Sequence, residues 1–262
     1  MNNPRFVMPR GALASRLERD TGSGTERSDR RPLRAKPLTR RYEAAALMRD
    51  GSLYSFSRIA PAIPVFEQAF SAFARGTLIS TDHGAMAVED LVPGDVLETL
   101  DNGPQTLIWA GSMTLYPASI PGQVPCPGPV RVPADSFGPG RPAHDTVLGP
   151  YARLLQHFNR SVGREAVFVP VADLIDENSA IRLSPATPVQ VYHLGLRRHA
   201  TLRAGGLEVE SYHPGTSVDT LDVDMRGLFL ALFPHIRDGS GFGAPLHPQR
   251  PFPGMNFRVD AA

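Results

Sequence analysis

Short runs of alternating apolar and polar residues, each broken by Gly or Pro, fill most of this sequence. That rhythm predicts many short β-strands rather than long helices. Leu78 and Ile79 lie in a β-favouring run, Asp82-His83-Gly84 reads as a turn, and Val96–Leu100 reads as a strand. Between them, Val92-Pro93-Gly94-Asp95 places Pro second and Gly third, as a type II turn requires. Asp101-Asn102-Gly103 is a hairpin signal leading into a strand over Pro104–Leu115. Further strands are predicted at Pro129–Pro133, Thr146–Gln156, Ala166–Pro170, Ala180–Leu183, Val189–Leu196 and Ala200–Ala204, with Val171–Asp176 as a connection. The fold class is therefore all-β.

Helical periodicity occurs in few places. Leu38–Met48 predicts a short helix from Leu38, Tyr42 and Ala45 or Ala46, before a strand at Leu53–Phe56. Val65–Phe70 suits a single helical turn. Met225–Ile236 predicts a C-terminal helix with Leu228, Leu232 and Phe233 or Ile236 on its inner face. The expected organisation is a flexible arm over 1–63, a β domain over 64–236 that includes this helix, and a Pro/Gly-rich extended tail over 237–262.

Charge sharpens the first boundary. Met1–Asp50 holds twelve Lys and Arg against six Asp and Glu in a chain of net charge +1, so a basic arm precedes a mildly acidic body. Met1–Arg41 is poor in apolar residues and carries Thr21-Gly22-Ser23-Gly24-Thr25, so it is expected to be a solvated, disordered tail. Its arginines also suit an anionic partner. The single cysteine, Cys126, lies in a Pro-rich loop expected over Tyr116–Gly128 and excludes an intrachain disulfide or a multi-cysteine zinc site. No signal-peptide pattern opens the chain, and no apolar run reaches the length of a membrane span. The default expectation is a soluble cytoplasmic protein, with signal-less export as the other route.

One ordered set of motifs goes further. Phe73-x-x-Gly76-Thr77, then Ala87-Val88-Glu89-Asp90-Leu91-x-Pro93-Gly94-Asp95, then Asp101-Asn102-Gly103 and Trp109-x-Gly111, resembles the opening of a Hint domain. This is the self-processing module of hedgehog proteins and inteins, here in its bacterial form. The resemblance extends from about Phe66 to Gly215, through Gly149-Pro150-Tyr151-Ala152-Arg153, Tyr192-His193-Leu194, His199 and Glu210-Ser211-Tyr212-His213-Pro214-Gly215. It implies a compact Hint-like β fold. It also implies an opening cysteine that attacks the preceding carbonyl, and a strand Ser/Thr-Pro-x-His-Arg whose histidine protonates the leaving amide. The matching positions here are Ala72, Gly149 and Ala152. An N-to-S acyl shift needs a thiol or hydroxyl beside the scissile carbonyl, and general acid help is worth roughly 10²–10⁴-fold. The expectation is thus a degenerate domain with vestigial positions Ala72, Gly149 and Ala152, acting as a binding or assembly scaffold for a protein or peptide partner.

The rival expectation is an active autoprocessing domain that cleaves its own chain near Ser71. Ser71 lies one residue early, which turns its side chain to the opposite face of an extended segment. His144 and His157 flank the altered strand as candidate replacement acids. A third reading, an exported accessory of an adhesin or toxin system, lacks the calcium-binding nonapeptide repeat that would support it. No cofactor or metal is expected. His193 and His199 share a sheet face only if Arg197-Arg198 does not end the strand, and no His-x-x-x-His spacing is present. Cys126 reads as a small buried thiol. Glu208, Glu210, Asp219, Asp222 and Asp224 read as a solvated acidic edge.

Overall fold

Residues 38–117, 126–160 and 163–253 are described by a computed structural model. Residues 1–37 of the arm expected over 1–63 and the middle of the loop expected over Tyr116–Gly128 lie outside these residues, as does the chain beyond Pro253. The described residues all belong to the unit Pro37–Ala262.

Alternation sets the first half. Strands β1 (Thr39–Leu47) and β2 (Leu53–Pro61) form an antiparallel hairpin. A helical turn α1 (Pro64–Glu67) follows, and then β3 (Phe73–Ala74), β4 (Leu78–Thr81), β5 (Gly84–Ala87), β6 (Val96–Leu97) and β7 (Gln105–Leu115). The long strand β7 is the spine. Leu107, Trp109, Gly111, Met113 and Leu115 turn inward at every second position. One side of β7 pairs with β13 (defined below), while the other pairs with β6 and with β1. The Pro93–Gly94 turn forms as expected: Asp95 N donates to Val92 O at 3.1 Å, and Gly94 has φ 115°.

The expected helix over Leu38–Met48 is instead strand β1. Its buried residues are Arg40, Tyr42, Ala44 and Ala46, a period of two. Arg40 hides that period in the sequence. Its guanidinium is buried against Glu67, with Nε 2.8 Å from Oε1. A charged letter thus occupies an inward position. The three alanines favour helix intrinsically, but pairing on both edges overrides propensity. The ladder Tyr42↔Met113 to Ala46↔Trp109 joins this segment to the sheet that follows Pro64.

The second half supplies β8 (Val130–Val132), β9 (Thr146–Leu148), β10 (Arg153–Arg160), β11 (Gly163–Pro170), β12 (Ile181–Arg182), β13 (Val189–Leu196), β14 (Thr201–Ala204) and β15 (Leu207–Glu210). The ladders between named strands are all antiparallel. The fold is all-β with few short helices. The strand expected over Thr146–Gln156 is two strands, broken at Gly149–Tyr151, and the break matters below. β13 ends at Leu196, where Arg197-Arg198 bends the chain as expected.

Two cores form. One gathers Ala72, Phe73, Ile79, Leu97, Leu148, Ala152, Leu202 and Val209. The other is aromatic: Tyr42, Phe66, Phe70, Trp109, Tyr212, Phe229 and Phe233. Trp109 Nε1 donates to Leu232 O at 2.9 Å, anchoring the C-terminal helix to β7. That helix, α2, spans Val223–Leu230, opened by the Asp222 carboxylate accepting from Met225 N. It ends earlier than expected; Phe229 is its buried residue, Leu232 and Phe233 are buried in the segment that follows it, and Leu228 is 49% exposed. The chain then does not trail away. Residues 243–252 strap the body: Pro248 O accepts from Phe168 N, Arg250 N donates to Phe168 O (both 2.9 Å), and Phe252 is buried.

Candidate functional site

The Ser71–Ala72 peptide sits where the chain leaves its short helical turn and enters β3, and both residues are fully buried. Backbone groups hold this peptide from several sides. Tyr151 N donates to Ser71 O at 3.1 Å, Ala72 N donates to Tyr192 O at 2.8 Å, and Gly149 N donates to Ala72 O at 2.8 Å. Strand β3 lies between β13 and β9 through Phe73↔Tyr192 and Phe73↔Leu148. The fold therefore brings Ala72, Gly149 and Ala152 to one place, although nearly eighty residues of chain separate the first two.

None of the three positions carries a thiol, hydroxyl or imidazole side chain. The Ala72 methyl packs in the core with Ala152. Gly149 does more than lack a hydroxyl. A Cβ at this position would fall well inside contact distance of the Ser71 carbonyl carbon and oxygen. The break between β9 and β10 exists because Gly149 lets the backbone press onto the Ser71–Ala72 peptide. Ser71 Oγ turns back into its own helical turn and donates to Glu67 O at 3.1 Å. His144 and His157 are both exposed, the first in a loop and the second on β10.

The family model for the Hint domain matches residues 71–216, more than half of the chain. The chain belongs to the Hint family. Among solved structures it is similar to the MchDnaB-1 intein, with 16% identity over 54% of this chain and 100% of that one, at a TM-score of 0.35. It is similar to a bacterial intein-like domain from Clostridium thermocellum, with 13% identity over 54% and 99% of the two chains and a TM-score of 0.35. It is also similar to the gp41-1 intein, with 8% identity over 54% and 98% and a TM-score of 0.32. No curated protein sequence matches it.

Beside its central peptide, this Hint domain holds two buried polar clusters. The first is built on Glu67, four residues before Ser71. Arg40 Nε and Nη2 reach its Oε1, while Cys126 Sγ lies 3.3 Å and the Tyr151 hydroxyl 3.5 Å from its Oε2. Burial pushes the Cys126 thiol well up, and the Glu67 charge adds to the effect. The thiol stays protonated and donates to the carboxylate, so it is a packing and hydrogen-bonding group rather than a nucleophile.

The second cluster corrects the expectation of a solvated acidic edge. Asp219, Asp222 and Asp224 are exposed, but Glu210 is buried. Arg153 Nη1 donates to Glu210 Oε2 at 2.9 Å, His199 Nε2 lies 3.1 Å from Oε1, and Gln249 Nε2 donates to the same carboxylate. Burial alone raises this carboxyl. Arg153 first, then His199 and Gln249, outweigh it and hold the group at about 2. Glu208 pairs with Arg141 at 3.2 Å. The His199 and His213 rings approach to 4.9 Å, but His199 Nδ1 accepts from Leu246 N and His213 Nδ1 from Gly215 N, so local backbone occupies both. His193 is buried against Phe73 and Tyr212, and burial holds its imidazole down at about 3. Glu210 and Gln249 gave no sequence signal for this pairing beyond the late Hint motif, because Gln249 lies outside it.

Proposed function

We propose that this Hint domain has kept the fold of a self-processing module without the reaction, and that it serves as a binding or assembly scaffold for a protein or peptide partner. The observation that carries the proposal is the packing of Gly149 onto the Ser71 carbonyl. In a processing domain, this is the space where a nucleophile, a hydroxyl side chain and an acid converge on the scissile bond. Here backbone fills it, the neighbouring side chains are the methyls of Ala72 and Ala152, and both residues are fully buried. An acyl shift has no attacking atom at position 72 and no proton to deliver from position 152. Ser71 stays bonded to Glu67 O.

The test is the intact mass of the purified full chain, alone and after incubation with dithiothreitol or hydroxylamine, which release thioesters and esters. The expected result is one unchanged full-length mass in all three samples. Two fragments with their break at Ser71 or Ala72 would overturn the proposal and establish cleavage near Ser71; loss of the fragments in Ser71→Ala would then assign the nucleophile.

A further inference from the structure

Far from the Ser71–Ala72 peptide, three turns from distant parts of the chain meet around a cleft of about 500 Å³. The first is the β1–β2 turn with Arg49 and Gly51. The second is the bend after β13 with Arg197. The third follows α2 and carries His235, Arg237, Asp238 and Ser240. The apolar part of the wall comes from Leu47, Met48, Ile108 and Ile236.

The charges here do not cancel. Among the described residues, no carboxylate oxygen comes within ion-pairing distance of Arg49, Arg197 or Arg237. The one acid in the wall, Asp238, accepts from Ser240 N at 2.9 Å and from Ser240 Oγ at 2.5 Å, and the Arg237 charge also acts on it. Three guanidinium groups against one carboxylate leave two positive charges uncompensated. His235 adds a polar atom at the wall, since its Nδ1 is buried without a hydrogen-bond partner among the described residues. Desolvation holds this imidazole down at about 4, so it is neutral near pH 7 and offers one ring nitrogen as donor or acceptor. The turns themselves are fixed. Met48 N donates to Ser52 O at 2.8 Å and Gly51 N to Met48 O at 3.0 Å. A volume of this size fits a small molecule. Guanidinium forks recognise phosphate by paired N–H donors.

We propose that this cleft binds a small organic phosphate, its dianionic phosphate held among Arg49, Arg197 and Arg237 and its apolar part against Met48, Ile108 and Ile236. The dianion matches the excess of two positive charges among the wall residues, and an apolar group matches Leu47, Met48, Ile108 and Ile236. The site is independent of the proposed loss of self-processing: it shares no residue with the Ser71–Ala72 peptide.

Titration calorimetry of the full chain with phenyl phosphate tests it, with phenol and inorganic phosphate as probes that each keep half of the ligand. Saturable one-site binding of phenyl phosphate with a Kd below about 1 mM is expected, at least tenfold tighter than either half. Arg49→Gln, Arg197→Gln and Arg237→Gln should each weaken it about tenfold, as loss of one charge-assisted contact does. Arg226→Gln, whose guanidinium lies by Asp219 outside the cleft, should leave it unchanged. The three cleft arginines are exposed, so these variants retain the fold. Absence of saturation, equal binding by inorganic phosphate, or unaltered affinity in the triple Gln variant overturns the proposal.

Discussion

At Gly149, a single missing side chain determines how the centre of the molecule packs. Gly149→Ala places a methyl against the Ser71 carbonyl, where only backbone could yield. Overpacking of this kind costs about 1–3 kcal/mol, and the denaturant midpoint of Gly149→Ala should fall accordingly while Gly227→Ala, in open space on α2, does not lose stability. Equal midpoints for Gly149→Ala and the parent would contradict the packing described. The buried histidine makes a second residue-level prediction. An unfolded His193 takes up a proton near pH 6.5, whereas the folded one resists it to about 3. Between those values the unfolded chain binds more protons, so stability is full above pH 6.5 and declines as pH falls. His213 and His235, also depressed by burial, act in the same direction. Glu210 adds its own loss lower down, between the ordinary 4.5 and about 2. Urea midpoints measured from pH 7 to pH 5 should drop, and His193→Leu should drop less steeply. A flat profile in the parent would refute the assignment. The Hint motifs made Ala72, Gly149 and Ala152 legible in the sequence, because position within an ordered motif survives the loss of the side chain. The closure around them was not legible: it depends on a backbone approach that no residue letter encodes.

Among the elements, the C-terminal strap holds the most chemistry for its length. Gln249 reaches both the Glu210 carboxylate and His213 O, Arg250 pairs by backbone with Phe168, and Phe252 lies under the Arg153 guanidinium at 3.9 Å and against Tyr151. Gln249→Ala leaves the buried Glu210 carboxylate with one donor fewer, which costs about 1–3 kcal/mol. Thermal melts should show that loss in Gln249→Ala and not in Arg203→Ala, an exposed side chain on β14. If Gln249→Ala melts with the parent, the strap does not stabilise the body. In the sequence this segment reads as an extended tail because Pro and Gly dominate it, and its bonds are to partners far along the chain. Strand β1 misled for the opposite reason. Its partners are also distant, but its local letters, with Ala at three successive positions and Arg at a buried one, spoke for helix. By contrast β13 and the Pro93–Gly94 turn were read correctly, since β-branched alternation and turn stereochemistry are local properties.

For the whole molecule, the order of strands separates covalent from physical continuity. Residues 38–70, ahead of the Ser71–Ala72 peptide, pack into the domain. Strand β1 is hydrogen-bonded to β7, Tyr42 and Phe66 fill the aromatic core with Phe70 and Phe229, and Arg40 reaches Glu67. A break in the chain ahead of α1 would therefore leave the pieces associated, because the β1–β7 ladder, the shared aromatic core and the buried Arg40–Glu67 pair do not depend on the peptide link at that point. A protease recognition sequence inserted between Ala62 and Ile63, after the end of β2 and before α1, tests this. After cutting, gel filtration in native buffer should give a single peak at the size of the uncut chain, and denaturant should resolve two fragments. Elution of the hairpin piece by itself in native buffer would show that β1 and β2 are an appendage. The expected co-elution matters for any reading of self-cleavage, because a chain cut near Ser71 would keep its native size. Only a measurement that unfolds the protein distinguishes a cut Hint domain from an intact one, and only an unbroken mass under those conditions supports a fold that has outlived its reaction.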